Sequence, residues 1–165
     1  MSNARLQVVR LDAAHDRAAF HCDSEPLNRY LREQVTQDIR RHVTFCFVAL
    51  VDGNRIAGYY TLASASFLMT DLPVSISKKL PRYPTVPAVR MGRLAIDNAF
   101  KGQGLGGALL ADALTCATHS DIASYAMIVD AKDTAAAAFY QHHGFIAFPD
   151  KQFTLFLPLA TVRSL

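Results

Sequence analysis

The run Lys101-Gly102-Gln103-Gly104-Leu105-Gly106-Gly107 constrains this chain more than any other feature, because it sets four glycines within six residues between two apolar segments. Residues 89–96 read as a strand, and residues 108–118, rich in Ala and Leu, read as a helix. Glycines let a backbone approach a ligand closely, and the N–H groups that open a helix attract phosphate oxygens. A strand, a glycine loop and a helix in that order therefore point to a phosphate-bearing cofactor. The run is not a Walker A loop, which ends in Gly-Lys-Ser/Thr. Nor is it a dinucleotide fingerprint, since it sits in mid-chain without the surrounding βαβ unit.

With 165 residues, 51% of them hydrophobic and 19% charged, the chain has enough apolar surface to bury a core, and it is expected to form one domain over 1–165. No stretch reaches the roughly 20 uncharged apolar residues of a membrane span, and residues 1–17 lack the apolar block of a signal peptide, so a cytoplasmic protein is expected. Cys22, Cys46 and Cys116 are odd in number and far apart, which argues against a disulfide framework or a structural zinc site and for reduced core thiols. The adjacent pair His142 and His143 points in two directions on a helix, so no metal site is expected. The net charge of +3 is uneven: residues 1–93 carry +5 and residues 94–165 carry −2. A basic amino-terminal half suits a polyanionic partner, although a solvated surface is the commoner reason for such asymmetry.

Residues 7–11 form a candidate first strand. Ser24 is a good N-cap for an amphipathic helix in which Pro26 sits in the first turn and Leu27, Leu31 and Val35 recur at helical spacing. Residues 43–51 and 56–65, joined through Asp52-Gly53-Asn54, read as a hairpin. Four prolines between 71 and 88 predict a basic, semi-rigid connection with one helical turn near 74–80. Residues 127–130 read as a strand, Thr134 as the cap of a helix over 135–142 ended by Gly144, and residues 153–159 as a last strand.

The ordered set Gly92-Arg93-Leu94-Ala95-Ile96-Asp97, the glycine run, Val129-Asp130-Ala131 and Ala138-Phe139-Tyr140-Gln141-His142-His143-Gly144-Phe145 resembles the motifs of the Gcn5-related N-acetyltransferases (GNAT). More closely, Leu27-Asn28-Arg29-Tyr30-Leu31, Gln37-Asp38, Gly58-Tyr59-Tyr60-Thr61-Leu62 and Arg82-Tyr83-Pro84-Thr85-Val86-Pro87 make the chain similar, over nearly its whole length, to the acetyltransferase toxins of bacterial toxin–antitoxin pairs. The resemblance implies an α/β GNAT fold: a mixed central β-sheet with splayed parallel strands, flanked by helices. It implies acetyl-CoA as co-substrate and no metal. The pantetheine arm would lie along Leu94, Ala95 and Ile96, and the pyrophosphate on Gln103, Gly104, Leu105, Gly106 and Gly107, with Asp133 and Phe139 also near the cofactor.

Tyr140 matches the tyrosine that in this family commonly protonates the departing CoA thiolate; without the family pattern it reads as a core aromatic beside Phe139. The only glutamates, Glu25 and Glu33, lie on the first helix, which leaves Asp97 and Asp130 as carboxylates able to act through a water. An α-amine, with a pKa near 7.7 to 8.0 and lower still in an ester, needs no strong base, whereas a lysine side chain near 10.4 would. That agrees with the toxins' substrate class, the α-amine of an aminoacyl-tRNA. Arg40, Lys79, Arg82, Tyr83, Arg90 and Arg93 are the expected tRNA contacts. A cognate antitoxin is the implied protein partner, and dimers are frequent among such proteins. The alternatives are an acetyltransferase of a small-molecule or protein amine, and an acyl-CoA-binding module without catalysis. Lys101 and Asp133 depart from the family pattern: the first keeps a positive charge near phosphate, and the second adds a negative one.

Overall fold

Turn chemistry sets the first hairpin. β2 (Phe45–Val51) and β3 (Arg55–Leu68) pair antiparallel across residues 52–54, where Asp52 (φ +55°) and Gly53 (φ +97°) both take the left-handed conformation that tight hairpin turns favour. The computed structural model describes residues 6–162, so part of the amino-terminal stretch read above for a signal peptide lies outside the described residues. β1 (Gln7–Arg10) pairs antiparallel with β2, Gln7 opposite Leu50.

The helix expected from Ser24 forms in three parts: α1 (Glu25–Arg29), a π-helical turn (Tyr30–Gln34) and α2 (Val35–Arg40). Ser24 caps it through its backbone, its carbonyl accepting the N–H groups of Leu27 and Asn28 at 3.1 Å, while its side chain makes no cap bond. Leu31 and Val35 are fully buried in a cluster with Phe20, Val48, Ile56 and Tyr59. The Tyr59 hydroxyl donates to the Leu27 carbonyl at 2.7 Å. Asn28, wholly buried, accepts the Cys22 N–H at 2.8 Å and donates to the Cys22 carbonyl at 2.9 Å, so its amide substitutes for a missing stretch of backbone pairing.

The chain divides into two compact units, one running up to Ala63 and including Gly92–Ala113, the other comprising Ser64–Met91 and everything from Leu114. In the first, neighbouring strands run β1-β2-β3-β4; in the second, β4-β5-β7-β6. β4 (Thr85–Ile96) begins within the stretch expected to be a connection. Pro87 is tolerated there: it lacks an N–H, but its carbonyl accepts the Tyr125 N–H at 2.8 Å. β4 pairs parallel with β5 (Ala126–Asp130) from Ala88↔Ala126 to Met91↔Val129, and β5 pairs antiparallel with β7 (Lys151–Pro158). β6 (Ile146–Phe148), too short to reveal a period in the sequence, pairs antiparallel with β7.

Helices α3 (Val74–Ser77), α4 (Leu105–Thr118), α5 (Thr134–His142) and α6 (Leu159–Val162) complete the order. α4 starts three residues before the expected 108, so Leu105, Gly106 and Gly107 form its first turn. The N-cap of α5 is Asp133 rather than Thr134, its Oδ1 accepting the Ala136 N–H at 2.8 Å. Gly144 (φ +96°) follows the helix end as expected. A second cluster joins Phe67, Val86, Ala88, Ile128, Phe148 and Phe156 in the second unit. Cys22 and Cys46 are buried, but Cys116 is exposed on α4, which corrects its expected place in the core. Among the described residues no helix is long and apolar enough to cross a membrane, and no group of three His, Cys, Asp or Glu side chains is placed to hold a metal.

Candidate active site

In the first unit the glycine run is prepared by Asp97, which directly follows β4. Asp97 is 4% exposed, and both its oxygens are engaged: Oδ2 accepts the His21 N–H at 3.0 Å, and Oδ1 the Ala99 N–H at 2.8 Å with Arg55 4.0 Å away. Its own N–H donates to the Ala57 carbonyl at 2.8 Å. This carboxylate therefore holds the approach to the loop and is not available as a base. Gly102 and Gly104 both have φ +76°, a conformation costly for any other residue, and a Cβ built at either meets nothing within 4 Å. The backbone there is left-handed and uncovered, and it runs straight into the N-terminal turn of α4, whose leading N–H groups have no partner within the helix. These features fit the diphosphate of a nucleotide-bearing cofactor.

Gly58 fixes how α4 lies on its unit: a Cβ there would come 2.8 Å from Leu109 Cδ1, 2.9 Å from Ile96 Cδ1 and 3.0 Å from the Ala95 carbonyl oxygen. Tyr60, two residues on, donates its hydroxyl to Asp112 of α4 and stacks on Phe47 at 5.0 Å. Of the residues expected along the pantetheine, Ala95 is buried in the core while Leu94 and Ile96 are half-buried at the end of β4. Gln103 is exposed beside Gly104, and Lys101 is ion-paired with Asp23. The ammonium beside it holds the Asp23 carboxyl below the usual carboxylate range.

In the second unit Tyr140 is 8% exposed on α5, edge-on to Phe139 at 5.2 Å and tilted against Phe145 at 5.5 Å. Among the described residues none hydrogen-bonds its phenol. Burial, and secondarily the charge of Asp130, push the phenol up to about 12, so it stays protonated. Asp130 ends β5: its Oδ2 pairs with the Arg90 guanidinium, and its Oδ1 accepts the Thr154 hydroxyl at 3.1 Å. Neither Thr154 nor this link was visible in the sequence, because they depend on the register that sets Asp130 opposite Thr154. Phe139 is half-buried between Tyr140 and His143. Asp133 is used as the α5 cap, with Oδ1 committed to the backbone, which accounts for an Asp at this place in structural terms.

The expected substrate cations divide by surroundings. Lys79, Arg82 and Tyr83 share the exposed stretch between α3 and β4, Tyr83 being 67% exposed. Arg90 is committed to Asp130. Arg40 is exposed in the last turn of α2, and Arg93 lies over the Tyr30 ring, 3.4 Å from its centroid. Tyr30 in turn donates to Asp38 at 2.7 Å, and that hydrogen bond lowers the Asp38 carboxyl from its ordinary value.

The class that this strand, loop and helix arrangement defines is an acyl-CoA-dependent transferase. The chain belongs to the acetyltransferase (GNAT) family, whose model matches residues 10–145. It is 34% identical over 158 residues to a tRNA-acetylating toxin of Mycobacterium tuberculosis strain ATCC 25618 / H37Rv, covering 94% of this chain and 93% of the relative. Among solved structures it is similar to AtaT complexed with acetyl-methionyl-tRNAfMet, at 30% identity and a TM-score of 0.90, covering 97% of this chain and 98% of the other. It is also similar to a tyrosine-to-phenylalanine mutant of the AtaT toxin bound to acetyl-CoA and the C-terminus of the antitoxin AtaR, at 26% identity and a TM-score of 0.80, with 97% of each chain covered.

Proposed function

We propose that this protein transfers the acetyl group of acetyl-CoA to the α-amine of an aminoacyl-tRNA, and that it acts as a translation-blocking toxin in the cytoplasm. The observation that carries the chemistry is the buried phenol of Tyr140, kept protonated and, among the described residues, without a hydrogen-bond partner, on the helix that follows Asp130. The identity with a tRNA-acetylating toxin over nearly the whole chain supports the choice of acceptor. The AtaT complex with an acetylated aminoacyl-tRNA supports it independently.

Bound acetyl-CoA supplies an activated acyl group. The left-handed glycines at 102 and 104 and the first turn of α4 hold its diphosphate, and the end of β4 at Leu94 and Ile96 lines the pantetheine. The acceptor nitrogen attacks the thioester carbonyl carbon, the carbon–sulfur bond breaks, and one ammonium proton leaves with solvent. Tyr140 hydrogen-bonds the departing sulfur. A thiol titrates near 8.5, so a phenol near 12 keeps its proton and stabilises the thiolate as a hydrogen-bond donor, and the proton that ends on sulfur comes from water, matching the one the ammonium releases. No carboxylate base is required, because an esterified α-amine is largely neutral at neutral pH.

Arg40, Lys79, Arg82, Tyr83, Arg90 and Arg93 are the proposed contacts with tRNA, Arg82 and Lys79 as phosphate contacts and Tyr83 as a stacking surface. The proposed protein partner is a cognate antitoxin, by analogy with the AtaT–AtaR complex. The test is transfer of labelled acetyl from acetyl-CoA to a pool of charged tRNAs, beside uncharged tRNA, polyamines and a peptide. Tyr140→Phe is expected to lower transfer by about 10²–10⁴-fold while acetyl-CoA binding changes little. Label found only on a polyamine or peptide would replace the aminoacyl-tRNA reading with a small-molecule or protein amine.

A further inference from the structure

The second unit contains a cavity of about 280 Å³, whose lining includes Phe67, Leu68, Asp71, Arg90, Phe148 and Lys151, together with Ile128 and Thr154. We infer that this cavity receives the side chain of the acceptor amino acid and selects a neutral side chain of intermediate size. The inference rests on the aminoacyl-tRNA reading above and deepens it.

Size is the first argument. At about 30 Å³ per water, the cavity has room for roughly nine waters, enough for a branched or thioether side chain with part of its ester. The walls are the second. Phe67 and Phe148 meet edge to face at 5.3 Å, and Ile128, directly opposite Arg90 in the β4–β5 register, adds an aliphatic surface. Phe67 is 9% and Phe148 3% exposed, so neither offers an open ring face on which a nucleobase stacks. Leu68, 52% exposed, is the aliphatic surface a guest would cover.

Charge is the third argument. Arg90 is paired with Asp130, and Asp71 and Lys151 offset each other in sign along the lining. With one acid and one base in the lining beside that pair, its charge favours neither sign of guest, so a charged side chain gives up its water for an attraction and a repulsion together, whereas a neutral one loses little. The hydroxyl of Thr85 leaves a polar position for the ester, that of Thr154 being given to Asp130. Position is the fourth: Asp130, which holds both Arg90 and Thr154 of the lining, is also the charge felt by the Tyr140 phenol, so cavity and acid share one carboxylate.

The experiment uses the full chain, acetyl-CoA and one tRNA body acylated in turn with glycine, leucine, methionine, lysine and aspartate, so that only the side chain varies. Leucyl and methionyl substrates are expected to exceed lysyl and aspartyl ones by about tenfold or more in kcat/KM. Leu68→Phe should lower the leucyl and methionyl values about tenfold while moving the glycyl value less than about twofold. Lys151→Glu, at an exposed residue that folding tolerates, should raise the lysyl value several-fold and depress the aspartyl one. Equal rates on all five substrates, or equal effects of either variant on all five, overturn the cavity's role while leaving aminoacyl-tRNA as the acceptor. Transfer to none of them, with transfer to another amine, overturns the underlying reading and the cavity's role with it.

Discussion

β4 and β5 pair in parallel and each leads into an aspartate, yet the two ends are built in opposite ways. Asp97 is buried and spends both oxygens on backbone N–H groups from residues 21 and 99. Asp130 is exposed, and its oxygens go to two side chains, Arg90 and Thr154. The first carboxylate is part of the frame that presents the glycine run. The second is a junction whose partners are exchangeable by single substitutions, on the side of the molecule that carries Tyr140. The end proposed for the cofactor is thus fixed by main chain, and the end proposed for the acceptor is tuned by side chains.

Substitution should separate them by kind of damage. Beyond the loss expected for Tyr140→Phe, the largest effect belongs to Asp97→Ala: with two part-buried N–H groups losing the acceptor they share, unfolding free energy should fall by about 1–3 kcal/mol in urea titrations. Asp130→Ala should cost less than about 1 kcal/mol, because its partners are solvent-exposed, while altering transfer rates. Equal stability losses would erase the contrast. Next comes Gly104→Ala, where the left-handed backbone costs about 1–2 kcal/mol and the KM for acetyl-CoA should rise with it.

A smaller effect is read from pH. Burial dominates the upward shift of Tyr140 and the negative charge of Asp130 adds to it, so neutralising that charge in Asp130→Asn stabilises the phenolate and moves its titration down from about 12. Ultraviolet titration of tyrosinate, with Tyr140→Phe subtracted, reads the change, and an upward movement would contradict the assignment. In the parent protein the rise of kcat/KM between pH 6 and 8 should follow the acceptor amine, with no loss from Tyr140 below about pH 10. Smallest of all, Lys101→Ala should leave the unfolding midpoint unmoved, since its pair with Asp23 is exposed on both sides.

Elements governed by local chemistry were legible in the sequence: the Asp-Gly hairpin, the helix from Ser24, the glycine loop and the strand at 127–130. What was misjudged depends on distant partners. β4 reaches back to Thr85 because Tyr125 gives the Pro87 carbonyl a donor, and β6 exists because β7 pairs with it. Asp133 took the cap from Thr134 because its carboxylate reaches Ala136, a choice between two good capping residues that composition does not decide. Tyr140 stood out by motif, whereas the pairing of Asp130 with Arg90 and Thr154 exists only once three strands are in register.

The π-helical turn at Tyr30–Gln34 has an evolutionary reading. Such a turn holds one residue more than regular α-helix needs, the mark of a single-residue insertion accommodated without breaking the helix. The wide turn absorbs that residue: Tyr30 and Asp38 stand eight apart, about 80° out of phase in uniform α-helix, yet the Tyr30 hydroxyl reaches Asp38 and so anchors the ring beneath Arg93. Spreading the same residues evenly as α-helix would swing Asp38 away from that hydroxyl. The width of this short turn therefore sets the phase of a helix, and amino-acid count, more than amino-acid type, decides which side chains share that face.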